Sequence, residues 1–119
     1  MQTYRELRVW QKSIALVKSV YKLTKTFPKA EMFGLSSQMR RAAVSIPANI
    51  AEGYVRKYRP EYLQFLRIAF GSGAELETFA ILTKELGLAN EKEVELFQDQ
   101  LNEVMRMLNG LISSLVAKP

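Results

Sequence analysis

Residues 90–115 read NEKEVELFQDQLNEVMRMLNGLISSL, and the spacing of apolar side chains in this stretch decides the fold. Val94, Phe97, Leu101, Val104, Leu108, Leu111 and Leu115 recur at intervals of three and four, close to a strict heptad, which makes one seam of an amphipathic helix. Asn90 can cap its start by accepting a hydrogen bond from a first-turn amide. Glu91, Glu93 and Glu95 place negative charge at the positive end of the helix dipole.

Working outward, three further segments share this periodicity and none shows sustained period-two alternation. Pro60 opens a segment of about 27 residues ending at Gly87, with Tyr62, Phe65, Ala69, Gly73, Leu76, Phe79 or Ala80, Thr83 and Leu86 on its seam. Before it, Met39, Ala43, Ile46 and Ile50 form a seam that starts near Ser36 or Ser37. Pro47 lies inside that pattern; the unbroken apolar spacing favours a kinked, continuous helix over one ending at Ser45. The first segment carries Leu7, Trp10, Ile14, Val17, Tyr21 and Thr24, with Thr3 as a cap and Pro28 as a stop. Short connectors between such segments predict an all-α, antiparallel up-down-up-down four-helix bundle, a single domain over residues 1–119.

Composition narrows the chemistry. The chain has 119 residues, 48% of them hydrophobic and 24% charged, the balance of a globular protein. It has no cysteine, which excludes disulfides, thiolate metal sites and cysteine nucleophiles. It has no histidine either, which excludes serine–histidine triads and imidazole metal sites. Ser45 and Ser72 lack a Ser-x-x-Lys partner, and Glu52 alone proposes no reaction, so the expectation is a non-enzyme without metal or cofactor. Gly71-Ser72-Gly73-Ala74, mid-helix, fits a close backbone crossing against Ala42, Ala43, Ala48 and Ala51. No apolar run approaches the ~20 residues of a membrane span and no leader pattern is visible, which points to a cytoplasmic protein.

Charge is distributed unevenly along the chain. Residues 1–59 carry twelve Lys/Arg and three Asp/Glu, a balance of +9, whereas residues 60–119 carry five and nine, a balance of −4. Such asymmetry suits a polyanionic partner for one face or self-association of unlike faces. Arg5, Arg8, Lys12, Lys18, Lys22, Lys25 and Lys29 fall within about 160° of one helical arc. Arg56, Lys57 and Arg59 are interleaved with Tyr54, Tyr58 and Tyr62, a pattern suited to RNA, where bases stack and phosphates pair with cations. The leading candidates for nucleic-acid contact are therefore Arg56, Lys57 and Arg59, followed by Arg5, Arg8 and Lys12. Arg40 and Arg41 are candidates for an intersubunit interface. The alternative is a protein-interaction module whose basic and acidic faces serve oligomerisation or an acidic protein partner.

Several blocks resemble one known family. Tyr4-Arg5-Glu6-Leu7-Arg8-Val9-Trp10-Gln11-Lys12, Phe33 to Ala43 and Ser45-Ile46-Pro47-Ala48-Asn49-Ile50-Ala51-Glu52-Gly53 are similar to the bundle family named for the 23S rRNA intervening sequence protein. Phe65-Leu66 with Ala69 to Glu77 resembles its third helix, although Gly73 replaces a larger residue. The resemblance implies a bacterial protein assembled as a ring-shaped homopentamer, with no catalytic residues to carry over. It also implies kinship with accessory variability proteins of diversity-generating retroelements, which bind nucleic acid and a reverse transcriptase. RNA and a protein partner of that kind are thus the expected ligands.

Overall fold

A computed structural model describes residues 3–118; residues 1, 2 and 119 lie outside the described part of the chain. Four helices follow in order, α1 (Arg8–Thr24), α2 (Leu35–Val55), α3 (Arg59–Glu85) and α4 (Glu91–Val116), and no strand occurs among the described residues. Each helix packs on its sequence neighbour and α1 closes the square against α4, as the short connectors require. The bundle measures 48 × 21 × 20 Å. None of its helices is long and apolar enough to cross a membrane, among the described residues.

The seams of α2 and α4 are those expected from spacing, and so is that of α3 from Ala69 to Thr83; at its start Leu66 is fully buried, where spacing placed Tyr62 and Phe65, which are half-buried. Met39, Ala43, Ile46 and Ile50 are fully buried, as are Leu76, Val94 and Leu108. Asn90 caps α4 by accepting from the amides of Lys92 (2.9 Å) and Glu93 (3.3 Å). α2 runs unbroken through Pro47, whose ring joins the buried face. Its start differs from expectation: Gly34 is the cap residue, and Ser36 is buried in the first turn instead of capping it. Leu86 closes the expected α3 seam but is 62% exposed, because the helix has already ended at Glu85.

α1 departs more. Its buried row is Val9, Ser13, Leu16, Val20 and Leu23, one position back from the expected Trp10, Ile14, Val17 and Tyr21; of the expected seam only Thr24 is buried, and Tyr21 is 41% exposed. Ser13 is tolerated in the core because its hydroxyl donates to the Trp10 carbonyl at 2.7 Å. The helix is also shorter than the pattern. Thr3 caps a separate 3-10 turn (Tyr4–Glu6), and a second 3-10 turn spans Lys29–Glu31. Arg5 and Lys29 therefore leave the helical arc on which spacing placed them.

Two close helix contacts fall on glycine. A Cβ on Gly53 would lie 2.7 Å from Cβ of Phe65 and 3.2 Å from the Tyr62 carbonyl, so α2 and α3 touch there through backbone. A Cβ on Gly73 would collide with the Met105 thioether of α4. The close partner of Gly73 is thus α4, not the alanines of α2, and Gly71 faces open space. What joins α2 and α3 at this level is polar: Ser45 Oγ and Ser72 Oγ lie 2.8 Å apart, and the Asn49 amide donates to Ser45 Oγ at 2.9 Å.

Candidate functional site

Antiparallel order brings the start of α1, the end of α2, the start of α3 and the end of α4 to one end of the rod. There the turn between α2 and α3, only three residues long (Arg56, Lys57 and Tyr58), forces the chain to reverse. Lys57 takes φ +58°, the left-handed region that a side chain with a Cβ rarely adopts. A shallow cleft of about 310 Å³ results, lined by Tyr54, Lys57, Tyr58, Arg59, Tyr62, Leu115 and Lys118. The first 3-10 turn, carrying Arg5, packs against α2.

The aromatic side chains in this end divide by role. Tyr54 and Tyr62 meet edge to face, with ring centroids 6.0 Å apart. Burial, followed by the neighbouring Tyr54, raises the Tyr62 phenol above its ordinary pKa. Tyr58 is 59% exposed and offers a ring to solvent. The Lys57 ammonium lies 5.5 Å from the Tyr54 ring centroid, in cation–π range.

The cations divide too. Arg56 is held between two carboxylates, Glu52 at 3.2 Å and Glu61 at 3.4 Å, and its guanidinium lies 5.0 Å from the Phe65 ring centroid. Lys12 pairs with Glu103 of α4 at 3.3 Å. Arg5 is exposed, with its guanidinium 6.0 Å from the Tyr4 ring, and Arg8 is exposed at the first position of α1. Arg59 lines the cleft at the start of α3. The fold therefore gathers Arg5, Arg8, Arg56, Lys57 and Arg59 at one end and adds Lys118, a cation that local patterning did not single out. Lys12 lies further along α1, engaged with α4.

Arg40 and Arg41 stand elsewhere, near the opposite end. Arg40 bridges α2 to α1: its Nε donates to Thr24 Oγ1 at 2.8 Å and its guanidinium lies 4.4 Å from the Tyr21 ring centroid. Arg41 is exposed beside it.

The family model described as 23S rRNA-intervening sequence protein matches residues 5–110. The chain belongs to that family. A solved structure from Bacteroides thetaiotaomicron VPI-5482, described as a protein with unknown function from the S23 ribosomal protein family, superposes with a TM-score of 0.80. It is 24% identical, over 88% of this chain and 95% of that one, and shares the fold. Comparison with curated proteins gives no match.

Within this 23S rRNA-intervening sequence protein fold, the two serines weighed as nucleophiles contact each other and Asn49 rather than a base. Glu52 is engaged by Arg56. Lys57 gives the site a testable signature. A left-handed lysine costs about 1 kcal/mol relative to glycine, which adopts that backbone freely. Lys57→Gly is expected to raise unfolding free energy by about that amount while weakening any polyanion contact. Urea denaturation and filter binding on the same preparation check the opposite signs.

Proposed function

We propose that this member of the 23S rRNA-intervening sequence protein family is a non-enzymatic RNA-binding or nucleoprotein-scaffold module of the bacterial cytoplasm, binding through its Lys57/Tyr58 end. The observation that carries this reading is the convergence of Arg5, Arg8, Lys57 and Lys118 with an exposed Tyr58 ring at one end of the bundle. Phosphates would pair with the cations and an unstacked base would lie on the tyrosine. Arg56 contributes less, because Glu52 and Glu61 already compensate its charge. Lys12 is similarly occupied by Glu103. A homo-oligomer, the pentamer that family resemblance implies, would repeat the end and multiply weak contacts. A protein partner such as a reverse transcriptase would then share that assembly.

Filter binding of single-stranded RNA across a salt series tests the reading. Replacing Arg5, Arg8 and Lys57 together by Gln should flatten the dependence of log K on log salt by roughly 2, at about 0.7 per phosphate contact. The same Gln replacement confined to Lys12 should leave the slope nearly unchanged. An unchanged slope in the triple variant removes these residues from the interface.

A further inference from the structure

The end of α1 and the start of α4, far along the rod from the Lys57 turn, enclose a cleft of about 400 Å³. Its origin is in the sequence of α1. Ser19 and Thr26 lie one turn to either side of Lys22 and Leu23, and both are too small to fill the space beside α4. The floor is apolar: Leu23 and Phe97 come from the core, 4% and 2% exposed, and Leu96 stands beside them 67% exposed. Leu96 is off the buried row of α4, so the bundle's own core does not use it.

The rim is charged, with opposite signs on its two walls. Lys22 comes from α1 and Glu93 from the first turn of α4, and both are exposed. Neither has an ion-pair partner among the described residues, and they do not pair with each other. Gln100, two turns further along α4, adds an amide that can both donate and accept. Small-molecule sites have this make-up, an apolar surface with a few polar groups that fix orientation. The charges specify the ligand. A simple carboxylic acid would satisfy Lys22 but bring its charge near Glu93, and a simple amine would do the reverse. A molecule with both charges on one carbon, and a branched aliphatic chain to lie on the floor, satisfies both walls and the floor together.

We propose that the α1/α4 cleft binds a free aliphatic α-amino acid of the leucine kind. Its carboxylate pairs with Lys22, its ammonium with Glu93, and its side chain covers Leu23, Leu96 and Phe97. The aliphatic chain supplies most of the affinity by leaving water, while the two charges, at an exposed rim, supply discrimination. A peptide fits less well, because its two ends are separated and an internal residue brings neither charge. The site is independent of RNA binding: it shares no residue with the Lys57 end, and its failure would leave that reading untouched.

Its test is a titration of the full chain with L-leucine, without nucleic acid, followed by amide chemical shifts. The amides of Leu23, Leu96, Phe97 and Gln100 should move and saturate at one ligand per chain. L-Serine, which lacks the aliphatic chain, should bind more weakly by at least about tenfold. Isocaproate and isoamylamine, which are leucine without its ammonium and without its carboxylate, should each bind about fivefold more weakly. Two variants cross with these ligands. Lys22→Gln should weaken leucine and isocaproate and spare isoamylamine; Glu93→Gln should weaken leucine and isoamylamine and spare isocaproate. Both positions are exposed, and glutamine at residue 93 keeps a capping partner for Asn90, so neither change threatens the fold. Amides unmoved by leucine, equal affinity for all four ligands, or variants that weaken both analogues alike overturn the proposal.

Discussion

Gly53→Ala is expected to destabilise the bundle by roughly 1–3 kcal/mol, the usual cost of overpacking, although alanine is the better helix former. The sign follows from what the new methyl meets. At Gly73 the obstacle is the Met105 thioether, the far part of a flexible side chain that can swing aside. At Gly53 the obstacles are the Cβ of Phe65, 2.7 Å away, and the Tyr62 carbonyl, 3.2 Å away, both fixed to the α3 backbone. Relief requires α2 and α3 to separate just before the Lys57 turn. The Tyr54–Tyr62 contact and the cleft would spread with them. Gly53→Ala should therefore lower the thermal midpoint by several degrees and weaken RNA binding together, whereas Gly73→Ala should change both little. Calorimetry and filter binding on the two variants check the contrast; equal midpoints would show that the crossing at Gly53 yields as easily as the one at Gly73.

Those crossings show what patterning can and cannot convey. Helix number, order, the seams of α2 and α4 and most of that of α3 were legible, because a 3-4 rhythm of apolar residues has one structural meaning when caps and stops agree with it. The α1 seam was ambiguous for a physical reason. Two adjacent rows are almost equally apolar, one interrupted by Ser13 and the other built from Trp10, Ile14, Val17 and Tyr21. Aromatic side chains can lie half in water at a core boundary, while a serine that donates to its own helix can enter the core. Only packing against α2 and α4 selects between the rows. At the site, the aromatic–basic stretch was visible, yet its electrostatics were not fully read. The Glu52–Arg56 pair follows from an i, i+4 spacing and was open to sequence. Lys12–Glu103 joins distant segments and was not. Lys118 entered the cleft only through topology, since nothing local ties the end of α4 to the α2–α3 turn.

Tyr58→Ala carries the largest expected effect on ligand binding. Stacking of a base on an aromatic ring is worth about 1–3 kcal/mol, so affinity for single-stranded RNA should fall by roughly 5- to 150-fold. Tyr58 is the ring best placed for this. Tyr54 and Tyr62 are turned on each other, and Tyr62 is half-buried. Tyr58 stands 59% exposed at the cap position of α3, between the Lys57 turn and Arg59. Its structural contribution is through backbone: its carbonyl accepts from the Tyr62 amide at 2.9 Å, a bond that alanine preserves. Thermal stability should accordingly change by no more than about 0.5 kcal/mol, the ordinary range for an exposed position. Tyr58→Phe keeps the stacking face and should bind like wild type. A duplex RNA of equal length, whose bases are already stacked, should bind Tyr58→Ala and wild type alike through phosphate contacts alone. Equal loss on both RNAs would mean that the tyrosine shapes the cationic cleft rather than receiving a base. Unchanged affinity for the single strand would exclude it from the interface altogether, leaving Arg5, Arg8 and Lys57 as the contacts to be defended on charge alone.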